Sequence, residues 1–238
     1  MLSLDINRVG KAVFDELKDV IVTWFSVLSG GPKALESVDL GANSTLLFAL
    51  RFLFYIGLVD LVVEIPFEAA NGVRYTDELY VGLSVAGIYF TYLSLALILH
   101  GALRLFGGRG RLQESVAAFC LLTAYLPVAA ALRMPTVPVL AGAVEAGTNF
   151  PDVMARGTAA LSHLSRWNLT VFLLSTFLST GVTVVFLVAV FRCFRRLHAL
   201  SRFRALAGYT TGLLLASAFW IVFLLPFAGA VDRTFTKR

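Results

Sequence analysis

Apolar residues run almost unbroken through five stretches of the chain, at Thr45–Ile65, Tyr80–Leu105, Ser115–Leu132, Leu169–Phe191 and Ala205–Ala230. A helix rising 1.5 Å per residue needs about 20 residues to cross about 30 Å of hydrocarbon, and each stretch comes close to that length or exceeds it. Val184, Val185 and Phe186 favour strands by propensity. In hydrocarbon every backbone N–H must find a partner inside its own segment, so the helix prevails there. No stretch alternates polar and apolar residues as a membrane barrel would. The pattern predicts an all-α, polytopic membrane protein, a bundle of five transmembrane helices.

Ahead of the first span, Ile6, Val9, Val13, Leu17, Val20 and Trp24 recur at spacings of three and four. That spacing draws an apolar face on one helix, which Gly30, Gly31 and Pro32 should end. Residues 1–40 are therefore expected to be a cytoplasmic amphipathic segment and residues 41–238 the five-helix transmembrane domain. The segment suits an interfacial helix with Trp24 and Phe25 at headgroup depth. The alternative is a helix packed on the loops of its own bundle. Asp5, Arg8, Lys11, Asp15, Glu16 and Asp19 interrupt the stretch, so no cleavable signal is expected.

Composition agrees with the pattern: 58% of the 238 residues are hydrophobic, 15% are charged, and mean hydropathy is +0.81. A water-soluble domain of this size would need more polar surface. Lysine and arginine then set the orientation. With the amino terminus inside, twelve of them fall in inner segments and seven in outer ones, with Arg51 inside a span. The fourth connection is the most biased, holding Arg192, Arg195, Arg196, Arg202 and Arg204 with no acid. We expect a cytoplasmic-membrane protein with its amino terminus cytoplasmic and its carboxyl terminus outside. The net charge of +5 reads as this bias plus attraction to anionic lipid, and no nucleic-acid motif accompanies it.

Ionisable groups inside spans cost about 2.5–3.5 kcal/mol each at the centre, so each needs a reason. The first span holds Arg51, Asp60 and Glu64. Asp60 and Glu64 are four apart and share a face. Arg51 lies nine residues from Asp60, about 13 Å along the axis and on the opposite side, so the two cannot pair. Asp60 and Glu64 are either a carboxylate pair on a polar cavity, or an ordinary buried aspartate with a glutamate at the boundary and Arg51 snorkelling inward. His100, near the inner end of the second span, is either hydrogen-bonded structure or a proton relay. Pro127 kinks the third span, and Tyr125 is placed to bond a carbonyl freed by it.

Gly208, Gly212 and Ala216 form a ladder of small residues on the fifth span, and Ser175, Ser179 and Gly181 a weaker one on the fourth. Such faces let helices approach closely in lipid, inside the bundle or across a homodimer. Cys120 and Cys193 have no setting for a disulfide, and His198 five residues after Cys193 leaves too few ligands for a metal. The long outer connection Arg133–Asn168 is a surface, re-entrant or partner-binding element. There is no P-loop, nucleotide-binding glycine pattern, HExxH or GxSxG. No catalytic residue, cofactor or metal is expected.

The stretch Arg104-Leu105-Phe106-Gly107-Gly108-Arg109-Gly110-Arg111, then Glu114, then Ala124-Tyr125-Leu126-Pro127, resembles the core signature of the Yip domain family of membrane proteins. That family ends its second span with arginine and a hydrophobic pair, turns through Gly-Gly-x-Gly and enters a third span with a Tyr–Pro pair. Glycine in such a turn permits positive φ. Five spans and a cytoplasmic amino terminus also fit what the resemblance implies. The long cytoplasmic tail of eukaryotic members is missing, so the chain looks more like the prokaryotic ones. The expected function is a non-enzymatic Yip-like protein that organises membrane lipids, anionic ones above all, or partner proteins, through Trp24, Phe25 and the five arginines. The alternatives are a small lipid or ion transporter using Asp60, and an accessory subunit or homo-oligomer in a larger membrane assembly.

Overall fold

In a computed structural model describing residues 6–70, 78–136, 165–224 and 226, the apolar stretches are helices, with no strand among the described residues. Helix α1 covers Ile6–Gly30 and runs into a 3-10 turn at Gly31–Leu35. Gly31 takes φ +56, which glycine adopts without strain, and Pro32 opens the turn. Then come α2 (Asn43–Ala70), α3 (Glu78–Leu105), α4 (Leu112–Leu122), α5 (Leu126–Arg133), α6 (Arg166–Leu197) and α7 (Arg202–Phe219). Five segments are long and apolar enough to cross a membrane: Asn43–Val63, Gly82–Leu105, Leu112–Thr136, Arg166–Leu197 and Arg202–Phe223. That is the architecture expected of a polytopic membrane protein.

The third crossing is two helices joined by a break. The break precedes Pro127 rather than centring on it. Helix α4 stops at Leu122, a 3-10 turn occupies Thr123–Tyr125, and α5 resumes with Pro127 in its first turn. Proline is tolerated there because first-turn N–H groups have no intrahelical partner. This crossing is also the centre of the bundle: 72% of its most apolar stretch is buried, against 11–33% for the other four. Helices α2, α3 and α6 pack around it, and α7 lies outside against α3 and α6.

Lipid supplies no hydrophobic force between helices, so close packing and polar fasteners hold them. Gly208 and Gly212 lie against α3. A Cβ on Gly212 would come within 2.9 Å of Leu99 Cδ2, and one on Gly208 within 3.0 Å of Leu103 Cδ2. The glycines of the small-residue ladder are thus occupied inside the chain rather than left open for a second copy. On α6, Ser179 donates to the Ala129 carbonyl at 2.9 Å and Ser175 is buried, but Gly181 has open space around it and belongs to no tight contact. Tyr209 of α7 donates to the Leu187 carbonyl at 2.9 Å, and Tyr89 of α3 donates to the Leu50 carbonyl. Each of these three fasteners is a side-chain donor on a backbone carbonyl. Most of the long connection Arg133–Asn168, the end of the fifth span and the side chain of Glu64 fall outside the described residues.

Candidate functional site

The arginine-rich end of the bundle is organised by the C-terminus of α6. The Ala199 N–H donates to the Arg196 carbonyl at 3.0 Å and the Leu200 N–H to the Arg195 carbonyl at 3.1 Å, a Schellman closure. Ala199 adopts φ +50, the left-handed conformation usually given to glycine, at a cost of about 1–2 kcal/mol. This reversal leaves His198 as the cap residue, fully buried. Its ring stacks on Phe194 at 6.1 Å, and Phe194 packs edge-on against Phe119 of α4.

Three side chains from three helices meet here. Ser115 Oγ lies 2.9 Å from His100 Nδ1, 3.2 Å from His198 Nε2 and 3.2 Å from the Arg111 carbonyl oxygen. The two imidazole centroids are 4.9 Å apart. One proton assignment satisfies all three contacts. The carbonyl can only accept, so Ser115 donates its single proton there, and both imidazoles donate to its oxygen. His198 is then the neutral Nε2–H tautomer with a bare Nδ1, and Nδ1 has no hydrogen-bond partner. Protonation would place a buried N–H where nothing accepts it. Burial, then His100, then the Arg104 guanidinium push its pKa down to about 4.

The glycine-rich turn is the wall of this chamber. Only Gly107 takes the positive φ expected of the motif, at +90. Gly108 and Gly110 are there for space. A Cβ on Gly108 would lie 2.4 Å from His198 Nδ1 and 2.8 Å from the Leu103 carbonyl oxygen. One on Gly110 would lie 3.0 Å from both His198 Cδ2 and the Leu197 oxygen. The Arg109 N–H donates to the His198 carbonyl at 3.1 Å and locks the turn to α6. Ser115 is enclosed on all sides, so no substrate reaches its hydroxyl, and the trio acts as a polar knot. Among the described residues no group of three His, Cys, Asp or Glu side chains could hold a metal ion, and Cys120 and Cys193 are buried free thiols.

Helix α1 is fastened to the break in the central crossing. Pro127 has no N–H to continue the 3-10 turn onto the Ala124 carbonyl, and the Trp24 indole donates there instead, at 2.7 Å. Tyr125 does not bond a carbonyl of its own crossing. Its hydroxyl donates to the Val27 carbonyl of α1 at 3.2 Å. Trp24 is therefore half-buried against the bundle, and of the expected aromatic pair only Phe25, 61% exposed, is free to meet lipid. Arg51 does not snorkel along its own helix: it reaches sideways to Glu16 of α1 at 3.4 Å. Trp24→Phe and Tyr125→Phe should each cost about 1 kcal/mol by removing one bond. Hydrogen exchange checks this: α1 loses protection while α2–α7 keep theirs, and unchanged protection of α1 in the double variant contradicts the fastening.

The faces of α1 divide at about 100° per residue. Val20, Trp24 and Val27 face the bundle, with Val20 and Val27 buried. About a quarter-turn round, Phe14, Leu17, Ile21 and Phe25 form a second apolar strip that stays exposed, at 39–68%. Asp15, Lys18, Asp19 and Ser26 occupy the exposed face beyond it.

Arg192, Arg195, Arg196, Arg202 and Arg204 gather around the α6–α7 corner beside the chamber, and Arg196 pairs with Glu36. His100 belongs to the chamber, as do Gly107, Gly108 and Gly110. Asp60 lies elsewhere, buried on α2, where it has an interaction of its own. Sequence reasoning missed Ser115 and the role of His198. The sequence signal was three glycines in one short turn; the structure shows that only Gly107 needs positive φ, so the other two mark a space filled by a neighbour. No protein-family model, no curated protein and no solved structure matches this chain.

Proposed function

We propose that this chain is a non-enzymatic membrane protein, Yip-like in organisation, that gathers anionic lipid around its arginine-rich end. That end and the amino terminus lie on the cytoplasmic face of the cytoplasmic membrane, and the carboxyl terminus lies outside. One observation carries the reading: α1 presents a second apolar strip, Phe14, Leu17, Ile21 and Phe25, that nothing in the described chain covers. A helix with one apolar strip on a bundle, another free and a charged third face fits the plane between headgroups and acyl chains. Lipid contact accordingly leaves Trp24 for this strip, which keeps Phe25. Arg192, Arg195, Arg202 and Arg204 at the α6–α7 corner would serve as sites for anionic headgroups, each worth about 1 kcal/mol near such a surface.

The test is energy transfer from the protein's tryptophans to a labelled anionic lipid in vesicles that also hold neutral lipid. The reconstituted chain should enrich the anionic lipid, and Arg195→Gln, Arg202→Gln and Arg204→Gln together should remove most of the enrichment. Random mixing by the unaltered chain would contradict the proposal.

A further inference from the structure

Between the crossover at residues 31–41 and the last turns of α6 lies an open cleft of about 530 Å³, within the usual range for small-ligand sites. Six of its lining side chains are charged: Lys33, Arg192 and Arg196, with Glu36, Asp39 and Glu114. Arg196 and Glu36 satisfy each other. That leaves two cations, Lys33 and Arg192, and two carboxylates, Asp39 and Glu114, lining one cleft. Lys33 and Arg192 make no ion pair among the described residues. Asp39 accepts the Gly41 N–H at 3.1 Å through Oδ1, and Glu114 accepts the Arg111 N–H at 3.3 Å through Oε2, so each keeps an oxygen in reserve.

The two carboxylates converge on bare backbone. A Cβ on Gly41 would lie 3.4 Å from Asp39 Oδ1 and 3.6 Å from Glu114 Oε1, with Arg111 Nη1 at 3.9 Å the cation beside them. Two carboxylates around one guanidinium leave an excess of negative charge, and Lys33 and Arg192 bring positive charge to the same cleft. A simple anion would meet the carboxylates, and a simple cation the guanidinium and ammonium groups. A ligand carrying both charges satisfies both kinds of lining group.

We propose that this cleft binds the headgroup of an aminophospholipid, with its phosphate at Lys33 and Arg192 and its primary ammonium at Asp39 and Glu114. The ammonium has three N–H donors for the spare carboxylate oxygens, which a trimethylammonium lacks. The cleft lies where α4 begins and α6 ends, at headgroup depth on the preceding reading, on which this inference rests. Leu35 and Val38 give the glycerol region an apolar wall.

The experiment titrates the full-length protein in detergent with short-chain phosphatidylethanolamine, phosphatidylcholine and phosphatidylglycerol, reading bound lipid by native mass spectrometry. Phosphatidylethanolamine should bind about tenfold more tightly than either of the others, the worth of one charge-assisted bond set. Asp39→Asn and Glu114→Gln keep their backbone contacts, and each should erase the advantage over phosphatidylglycerol. Lys33→Gln should weaken binding of all three. Equal binding of phosphatidylcholine, or a preference that survives both carboxylate variants, would overturn the proposal. Free phosphoethanolamine should compete only at much higher concentration, and equal potency would reassign the cleft to a soluble ligand. Loss of this preference with anionic-lipid enrichment intact removes this inference alone. Loss of enrichment with the preference intact removes the wider reading alone.

Discussion

Replacing Gly108 with alanine should destabilise the protein by about 3 kcal/mol, the largest effect of any single added methyl group at this end of the bundle. The new Cβ would meet His198 Nδ1 at 2.4 Å and the Leu103 carbonyl oxygen at 2.8 Å. Neither neighbour has room to yield. The imidazole is held by Ser115 and by stacking on Phe194, and the Leu103 oxygen accepts the Gly108 N–H at 3.0 Å. Gly110→Ala should cost less, because its closest contacts are at 3.0 Å. Gly107→Ala should cost about 1–2 kcal/mol, the strain of an L residue at φ +90. Gly101→Ala is the control, with open space around it on α3, and should be neutral or slightly stabilising. Thermal unfolding in detergent gives the order directly. Gly108→Ala behaving like Gly101→Ala would mean that the glycine turn does not enclose His198.

The second large effect is a loss of stability in mild acid. His198 is pushed down to about 4 in the folded chain, against an ordinary value near 6.5 once it is exposed. Between those values the unfolded chain binds the proton and the folded chain does not, so unfolding becomes easier as pH falls. The contribution is fully present above pH 6.5 and is lost by about pH 4. At 1.36 kcal/mol per unit it amounts to about 3 kcal/mol. His198→Gln cannot take up the proton, so it should lower stability at neutral pH and flatten the curve across that window. The difference between the two curves isolates this group. Parallel curves would show that His198 is free to charge in the folded state.

The spans were legible because hydrocarbon leaves the backbone one choice, and four of the five helices match their apolar runs to within about two turns. The break at Thr123–Tyr125 was legible only as a proline. Its position depends on Trp24 and Tyr125 reaching across to and from α1, a contact about 100 residues apart that no local pattern encodes. Helix geometry is local and separates Arg51 from Asp60, but it could not name Glu16, the partner of Arg51 on another helix. The Gly107–Gly110 turn was recognised from its residues, yet the reason for two of its glycines was the ring of His198, nearly a hundred residues away. Motif spacing finds the glycines. Only the packed structure names what fills the space they leave.

The most direct measurement is a cysteine scan along α1 in reconstituted vesicles with a membrane-impermeant maleimide, helped by the burial of native Cys120 and Cys193. Cysteines at Asp15 and Asp19 should label fast, while those at Leu17, Ile21 and Phe25 should stay protected by lipid although they face away from the bundle. If Ile21 and Phe25 positions label as fast as Asp19, α1 does not lie in the membrane surface, and the account of this protein as a lipid organiser fails.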